Sequence, residues 1–178
     1  MRVSKKAILA ELQRVYPDAG PELNFSNPYE TLVAVMLSAQ CTDKQVNKVT
    51  PALFERYPDV EAMAAASVEE VYPMVKSCGF KSKAGNIIAA CRIIRDEHGG
   101  EVPRTREELT RLPGVGRKTA NLLLGDLYAV PGSVVCDTHC IRICGRLGLS
   151  TGKDPEKVER QLREILPPEE SNDFCHRI

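Results

Sequence analysis

The sequence has no tryptophan, and all aromatic residues together make up only 5% of its 178 residues. That scarcity disfavours a single-strand-binding surface built from stacked rings. Net charge is also missing, with 24 Lys plus Arg set against 24 Asp plus Glu. The balance argues against a wholly basic coat protein, yet it leaves room for a local basic patch. Long apolar runs are absent: the longest uncharged stretch, residues 31–42, is too short to span a bilayer. The opening Met1-Arg-Val-Ser-Lys-Lys-Ala7 is not followed by an apolar signal core. Seven cysteines (Cys41, Cys78, Cys91, Cys136, Cys140, Cys144 and Cys175) form an odd set without a disulfide-framework pattern. Free thiols in a reducing cytosol fit them best, so a cytoplasmic protein with no membrane partner is expected. Hydrophobic content of 43% and charged content of 27% exclude global disorder. The length suits one ordinary domain, or two small lobes, with a core that needs no staples.

The chain reads as helices. Ile8, Leu9, Leu12 and Val15 fall on one face of a helix over 4–16. Asn27-Pro28 pairs a cap with a first-turn proline, and Leu32–Leu37 reads as a buried helix. Asp43 is placed to cap a helix with Val46, Val49 and Leu53 inward. Ser67-Val-Glu-Glu70 and Thr105-Arg-Glu-Glu108 are capping boxes. A helix over 82–97 stops at Gly99-Gly100, and others follow at about 116–129, 137–147 and 154–166. No segment alternates with period two for long. The expected class is all-α, with short connections and about ten helices.

Charge is unevenly spread. Lys76, Lys81, Lys83, Arg92 and Arg95 occur in a stretch without an acidic residue. Arg111, Arg117 and Lys118 make a second basic group, and Arg142 and Arg146 a third. Each is either a solvated helix face or part of a phosphate-binding groove. The turn Leu112-Pro-Gly-Val-Gly116 between two predicted helices sharpens the second reading. Gly114 and Gly116 permit positive φ and close approach of a ligand, while Leu112 and Val115 tuck inward. The N–H groups of Gly114, Gly116 and Arg117, with the start of the next helix, would then suit a phosphate. Taken alone, a Gly-x-Gly turn serves equally as a tight connection.

Lys118 falls in the first turn after that hairpin, where positive potential lowers an amine's pKa and any partial burial would lower it further. A neutral amine can form a Schiff base, although most lysines are merely exposed. Asp137 stands where a helix cap would stand. If it faced the Lys118 amine, it could also stabilise a developing cation or relay a proton.

At this point Leu112-Pro-Gly-Val-Gly-Arg-Lys-Thr-Ala-Asn121, followed by Val135-Cys-Asp-Thr-His139 and Arg142, resembles the endonuclease III branch of the helix-hairpin-helix (HhH-GPD) DNA glycosylases. Leu37-Ser-Ala-Gln-Cys-Thr-Asp43 and Leu23–Pro28 resemble the family's earlier segments, and the likeness runs from about residue 5 to Ile178. The resemblance implies two helical lobes with an active-site cleft between them. One is a six-helix lobe at 22–132 carrying the hairpin motif at about 104–129. The other is built from 1–21 plus 133–178. It implies a base-excision-repair glycosylase for oxidised pyrimidines in damaged double-stranded DNA, with abasic-site lyase activity, acting as a monomer. Lys118 would be the Schiff-base nucleophile and Asp137 its electrostatic and proton-transfer partner. Gln40 would fill the gap left by the flipped nucleotide, and Phe80 would wedge the bases apart. Leu112, Pro113, Gly114, Val115, Gly116, Arg117, Thr119 and His139 would complete the DNA contacts.

Two departures accompany the likeness. The loop Cys78–Lys83 is one residue shorter than the family's wedge loop. The family continues for a few dozen residues past the segment matching Phe174–Ile178, with cysteines spaced C-x6-C-x2-C-x5-C that hold a 4Fe-4S cluster. That spacing does not occur here, so no metal and no cofactor is expected in this chain. The second lobe is expected to be C-terminally incomplete, with exposed apolar surface near 162–178 and reduced stability and activity. Cys136, Cys140 and Cys144 share one helical face and read as core packing rather than a metal or redox site. Alternatives to the lyase are a glycosylase of different base preference and a non-catalytic hairpin module that only binds DNA.

Overall fold

The structure is a computed structural model that describes residues 4–178. Its helices run in the order α1 (Lys5–Val15), α2 (Pro28–Ser38), α3 (Asp43–Arg56), α4 (Val60–Ala65), α5 (Val68–Val75), α6 (Lys81–Glu97), α7 (Arg106–Leu109), α8 (Arg117–Tyr128), α9 (Thr138–Leu147), α10 (Pro155–Arg163) and α11 (Ser171–Arg177), with short 3-10 turns at Lys76–Cys78 and Pro168–Glu170. Among the described residues there is no strand, as the lack of period-two patterning predicts. The chain divides into two compact units, one of residues 22–123 and one of residues 124–178 with the N-terminal segment up to Pro21. The second junction was expected at 132/133. The division falls instead inside α8, between residues 123 and 124. Residues 1–3 of the expected N-terminal segment lie outside the described residues.

The unit of residues 22–123 is organised on α2. Tyr29 and every residue from Thr31 to Leu37 are buried, so this helix is enclosed on all sides. Its entry is fixed by Asn27, whose side chain accepts from Glu30 N at 2.9 Å, and by Pro28 in the first turn. The Tyr29 hydroxyl donates to the Tyr57 carbonyl at 2.7 Å, which satisfies a polar atom inside the core. Thr42, rather than Asp43, caps α3, and Asp43 is left in its first turn. The Ser67 capping box forms as read from the sequence. α6 packs across α4 and α5 and buries Ile87, Ile88, Cys91 and Ile94.

The other unit closes around Cys140, Cys144, Leu149, Val158, Leu162 and Phe174, all buried. The sulfurs of Cys136, just before α9, and of Cys140 and Cys144 within it follow one another at 4.0 and 3.9 Å, packed as small apolar groups. α11 lies against α1, whose Ile8, Leu9 and Leu12 pack onto this core. That contact corrects the expectation of exposed apolar surface near 162–178. Leu162, Leu166 and Phe174 are buried, and Ile165, Cys175 and Ile178 are half-buried. Val15, expected on the inward face of α1, is exposed at the helix end.

Candidate active site

The hairpin is short and tightly held. α7 is a single turn, capped by Thr105, whose Oγ1 accepts from Glu108 N at 3.3 Å. Val115 N donates to the Leu112 carbonyl at 3.0 Å, and the Leu112 and Val115 side chains are buried. These two anchors hold Pro113, Gly114 and Gly116 at the surface or half-exposed. The two glycines do different work, which the sequence did not distinguish. Gly114 has φ +82°, and a Cβ there would sit 3.1 Å from Asn86 and Met36 atoms. Gly116 has no positive φ, and a Cβ there would meet nothing within 4 Å. Its carbonyl accepts from Ala120 N at 2.9 Å and so starts α8.

Arg117 and Lys118 follow, both exposed, with Thr119 half-exposed behind them. Asp43, from the first turn of α3, is close enough that the Lys118 charge acts on it. Burial and then Glu22 push the Asp43 carboxyl up, and Lys118 opposes them. The sequence reading treated Asp43 only as a cap. No local pattern could have linked it to Lys118, because the two come from helices brought together by packing.

Asp137 is the N-cap of α9, and its Oδ1 accepts from Cys140 N at 2.8 Å. The side chain is half-buried, with one carboxylate oxygen committed to the helix start. His139 and Arg142 are exposed on the first turns of the same helix, with Arg142 Nη2 3.0 Å from His139 Nδ1. Arg146 continues this basic face.

Gln40 and Phe80 are exposed at the tips of two loops in the unit of residues 22–123. Gln40 is one of two non-glycine residues with positive φ among the described residues, at +59°. Left-handed backbone at a side chain of this size is strained and persists only where its surroundings enforce it. Phe80 is 79% exposed, an unusual placement for a large apolar ring. Four of the five cations in the basic stretch beside it are bonded within the protein. Lys81 pairs with Glu69 at 2.9 Å and Arg95 with Asp96 at 2.6 Å. Arg92 donates to the Ala64 and Ala66 carbonyls at the end of α4. Lys83 donates to the carbonyls of Leu37, Ala39 and Cys78. Arg92 and Lys83 thus close helix ends and loops, a task that charge patterning alone does not reveal.

The seven cysteines do not fit a 4Fe-4S cluster, since none of their separations reproduces C-x6-C-x2-C-x5-C. Burial pushes the Cys91 and Cys175 thiols up to about 12, away from the thiolate form that ligation requires. Among the described residues no group of three or more His, Cys, Asp or Glu side chains is arranged to hold a metal ion.

Residues 33–168 match the family model for the HhH-GPD superfamily base excision DNA repair protein. The chain is 47% identical over 172 residues to endonuclease III of Synechocystis, covering 96% of this chain and 78% of that protein. It is 44% identical over 176 residues to endonuclease III of Escherichia coli K12, covering 98% of this chain and 82% of that one. Among solved structures it superposes on a trapped endonuclease III–DNA covalent intermediate, an estranged-adenine complex. The TM-score is 0.92 at 43% identity, over 98% of this chain and 84% of that one. The helical hairpin with its buried anchors, the lysine that follows it and the capped aspartate thus stand in a chain that belongs to the HhH-GPD superfamily of base-excision DNA repair proteins, among the endonuclease III glycosylases and abasic-site lyases.

Proposed function

We propose that the chain removes oxidised pyrimidines from double-stranded DNA, with Lys118 as nucleophile and Asp137 as its charge and proton partner. The damaged nucleotide leaves the stack before chemistry. The Lys118 amine, as the free base, attacks C1′ of the sugar. The glycosidic bond breaks, and the departing base takes up a proton. Loss of the amine proton and opening of the sugar give a Schiff base between Nζ and C1′. Its electron-withdrawing character acidifies C2′–H. Removal of that proton expels the 3′-phosphate and cuts the strand on the 3′ side of the lesion. The Asp137 carboxylate stabilises the positive charge that builds on the sugar and accepts or returns protons.

The observation that carries this reading is an exposed lysine two residues beyond an anchored, glycine-lined turn, at the positive end of α8. The relative trapped as a covalent intermediate with DNA supports the covalent route. Phosphate recognition falls to the backbone at Gly114 and Gly116 with Arg117 and Thr119, Leu112, Pro113 and Val115 shaping the turn. His139 adds a second contact, Gln40 fills the vacated stack and Phe80 is the wedge. The exposure of the Phe80 ring and the enforced backbone of Gln40 are what favour the last two roles. We further propose that it acts as a monomer in the cytoplasm. No helix of the described residues is long and apolar enough to cross a membrane.

Borohydride reduction in the presence of an abasic-site duplex tests the mechanism. A covalent protein–DNA adduct is expected from the unaltered chain and none from Lys118→Ala. An adduct that survives in Lys118→Ala would overturn the assignment. DNA binding without any adduct from the unaltered chain would favour a non-catalytic module.

A further inference from the structure

The loops that carry Gln40 and Phe80 come from distant parts of the chain, yet one side chain is bonded to both. Lys83, in the first turn of α6, is half-buried. Its ammonium donates to the Leu37 carbonyl at 2.9 Å and to the carbonyl of Ala39, which flank the end of α2 just before Gln40. It also donates to the Cys78 carbonyl, two residues before Phe80. An ammonium has three N–H donors and no acceptor. Three carbonyls, two from one loop and one from the other, use all three. The carbonyls at the end of α2 also form the negative end of its dipole, where a cation is favoured.

The surroundings are built for this approach. Gly79 has φ +135°, and a Cβ there would lie 3.2 Å from both Cε and Nζ of Lys83. Any larger residue would therefore meet strained backbone and the lysine at once. A second tie runs parallel, from Gln45 Nε2 to Ser77 Oγ at 2.8 Å. Two short backbone bonds close the loops themselves, Cys41 N to the Ser38 carbonyl at 2.9 Å and Gly79 N to the Lys76 carbonyl at 3.3 Å. The left-handed Gln40 sits between Ala39, whose carbonyl Lys83 holds, and Cys41, whose amide is bonded back to Ser38.

We propose that Lys83 is a positioning residue that locks the Gln40 loop and the Phe80 loop into a single probe, so that base extrusion by one and gap filling by the other occur in register. The proposal rests on the roles given above to Gln40 and Phe80. Lys83 has no proton left for a phosphate, because all three are engaged by carbonyls.

The test compares Lys83→Met with the unaltered chain. In the free protein, hydrogen exchange at the Cys41 and Gly79 amides is expected to accelerate together, by about tenfold or more, with the thermal melt still cooperative. With a thymine glycol duplex carrying 2-aminopurine opposite the lesion, the fluorescence rise on binding is expected to shrink, and kcat for base release to fall about tenfold. The salt dependence of DNA binding is expected to keep its slope, since a lost phosphate contact would lower that slope by about one unit. Borohydride trapping on a single-stranded abasic oligonucleotide, which needs no wedge, should be retained. Lys83→Arg should not rescue, because a planar fork cannot point three donors at these carbonyls. If Lys83→Met does not fold, Gly79→Ala displaces the same ammonium and serves instead. A reduced salt slope, loosening of only one loop, or unchanged fluorescence and turnover despite loosened loops would each overturn the proposal. If Gln40→Ala and Phe80→Ala also leave the fluorescence unchanged, the fault lies in the roles given to those two residues.

Discussion

Substituting the two hairpin glycines one at a time separates folding from binding. Gly114→Ala places a Cβ on a backbone with φ +82°, within 3.1 Å of Asn86 Cβ and Nδ2 and of Met36 Cε. Left-handed backbone at a non-glycine residue costs about 1–3 kcal/mol. Overpacking adds about 1–3 kcal/mol, toward the low end because the Met36 methyl can swing away while Asn86 Cβ cannot. The expected loss is about 2–4 kcal/mol. With a urea m-value of about 2 kcal/mol/M, the denaturation midpoint moves down by about 1–2 M. Gly116→Ala meets no neighbour within 4 Å and no positive φ, so its stability should change by less than about 0.5 kcal/mol. Its methyl instead occupies the space through which a phosphate would approach the backbone, so affinity for abasic duplex should fall about tenfold or more. Equilibrium urea unfolding followed by circular dichroism reads the first effect, and fluorescence anisotropy with labelled duplex reads the second. Equal stability losses in the two variants would refute the division of labour. So would a Gly116→Ala protein that binds the duplex as tightly as the unaltered chain.

Three further outcomes can be checked. His176 Nε2 lies 2.8 Å from Asp126 Oδ1, and that contact raises the imidazole pKa above its ordinary 6.5 against the opposing effect of burial. A raised folded-state pKa contributes stability that is fully present below about pH 6.5 and is lost as pH rises through the folded value. Unfolding free energy should therefore decline on the alkaline side of pH 6.5, and His176→Asn should flatten that part of the profile; a slope that persists in His176→Asn would count against the pair. Asp137→Asn should lower base-release turnover at least tenfold while keeping DNA affinity, because the amide oxygen still caps α9 but carries no charge. Asp137→Ala should in addition lose about 1 kcal/mol of stability with the cap, which thermal melts of the two variants would resolve.

The helical periodicity, the caps at Asn27, Ser67, Thr105 and Asp137, and the Gly-x-Gly turn were legible from the sequence alone. These are local devices: a side chain bonds to a backbone amide two or three residues away, or apolar positions recur every three or four. The anchored turn at Leu112–Gly116 could be read for the same reason, since it is a contiguous motif. Residues whose partners lie far along the chain were not legible. Charge patterning offered Lys83 and Arg92 either a solvated face or a groove, whereas packing turns both onto carbonyls of other segments. Asp43 read as a cap, whereas it is partly buried and feels the charge of Lys118. Phe174 and Leu162 read as apolar surface, whereas the contact between α1 and α11 and the surrounding core bury them.

Sequence by itself determined that the chain is helical, where most helices begin, and which turn carries the amine, because each depends on short-range sterics and hydrogen bonds. Only the tertiary structure decided which of two similar glycines is strained and which cations are spent on carbonyls. It also decided that one ammonium holds two loops together. Those outcomes depend on which distant groups share a few ångströms, and no spacing along the chain encodes that distance.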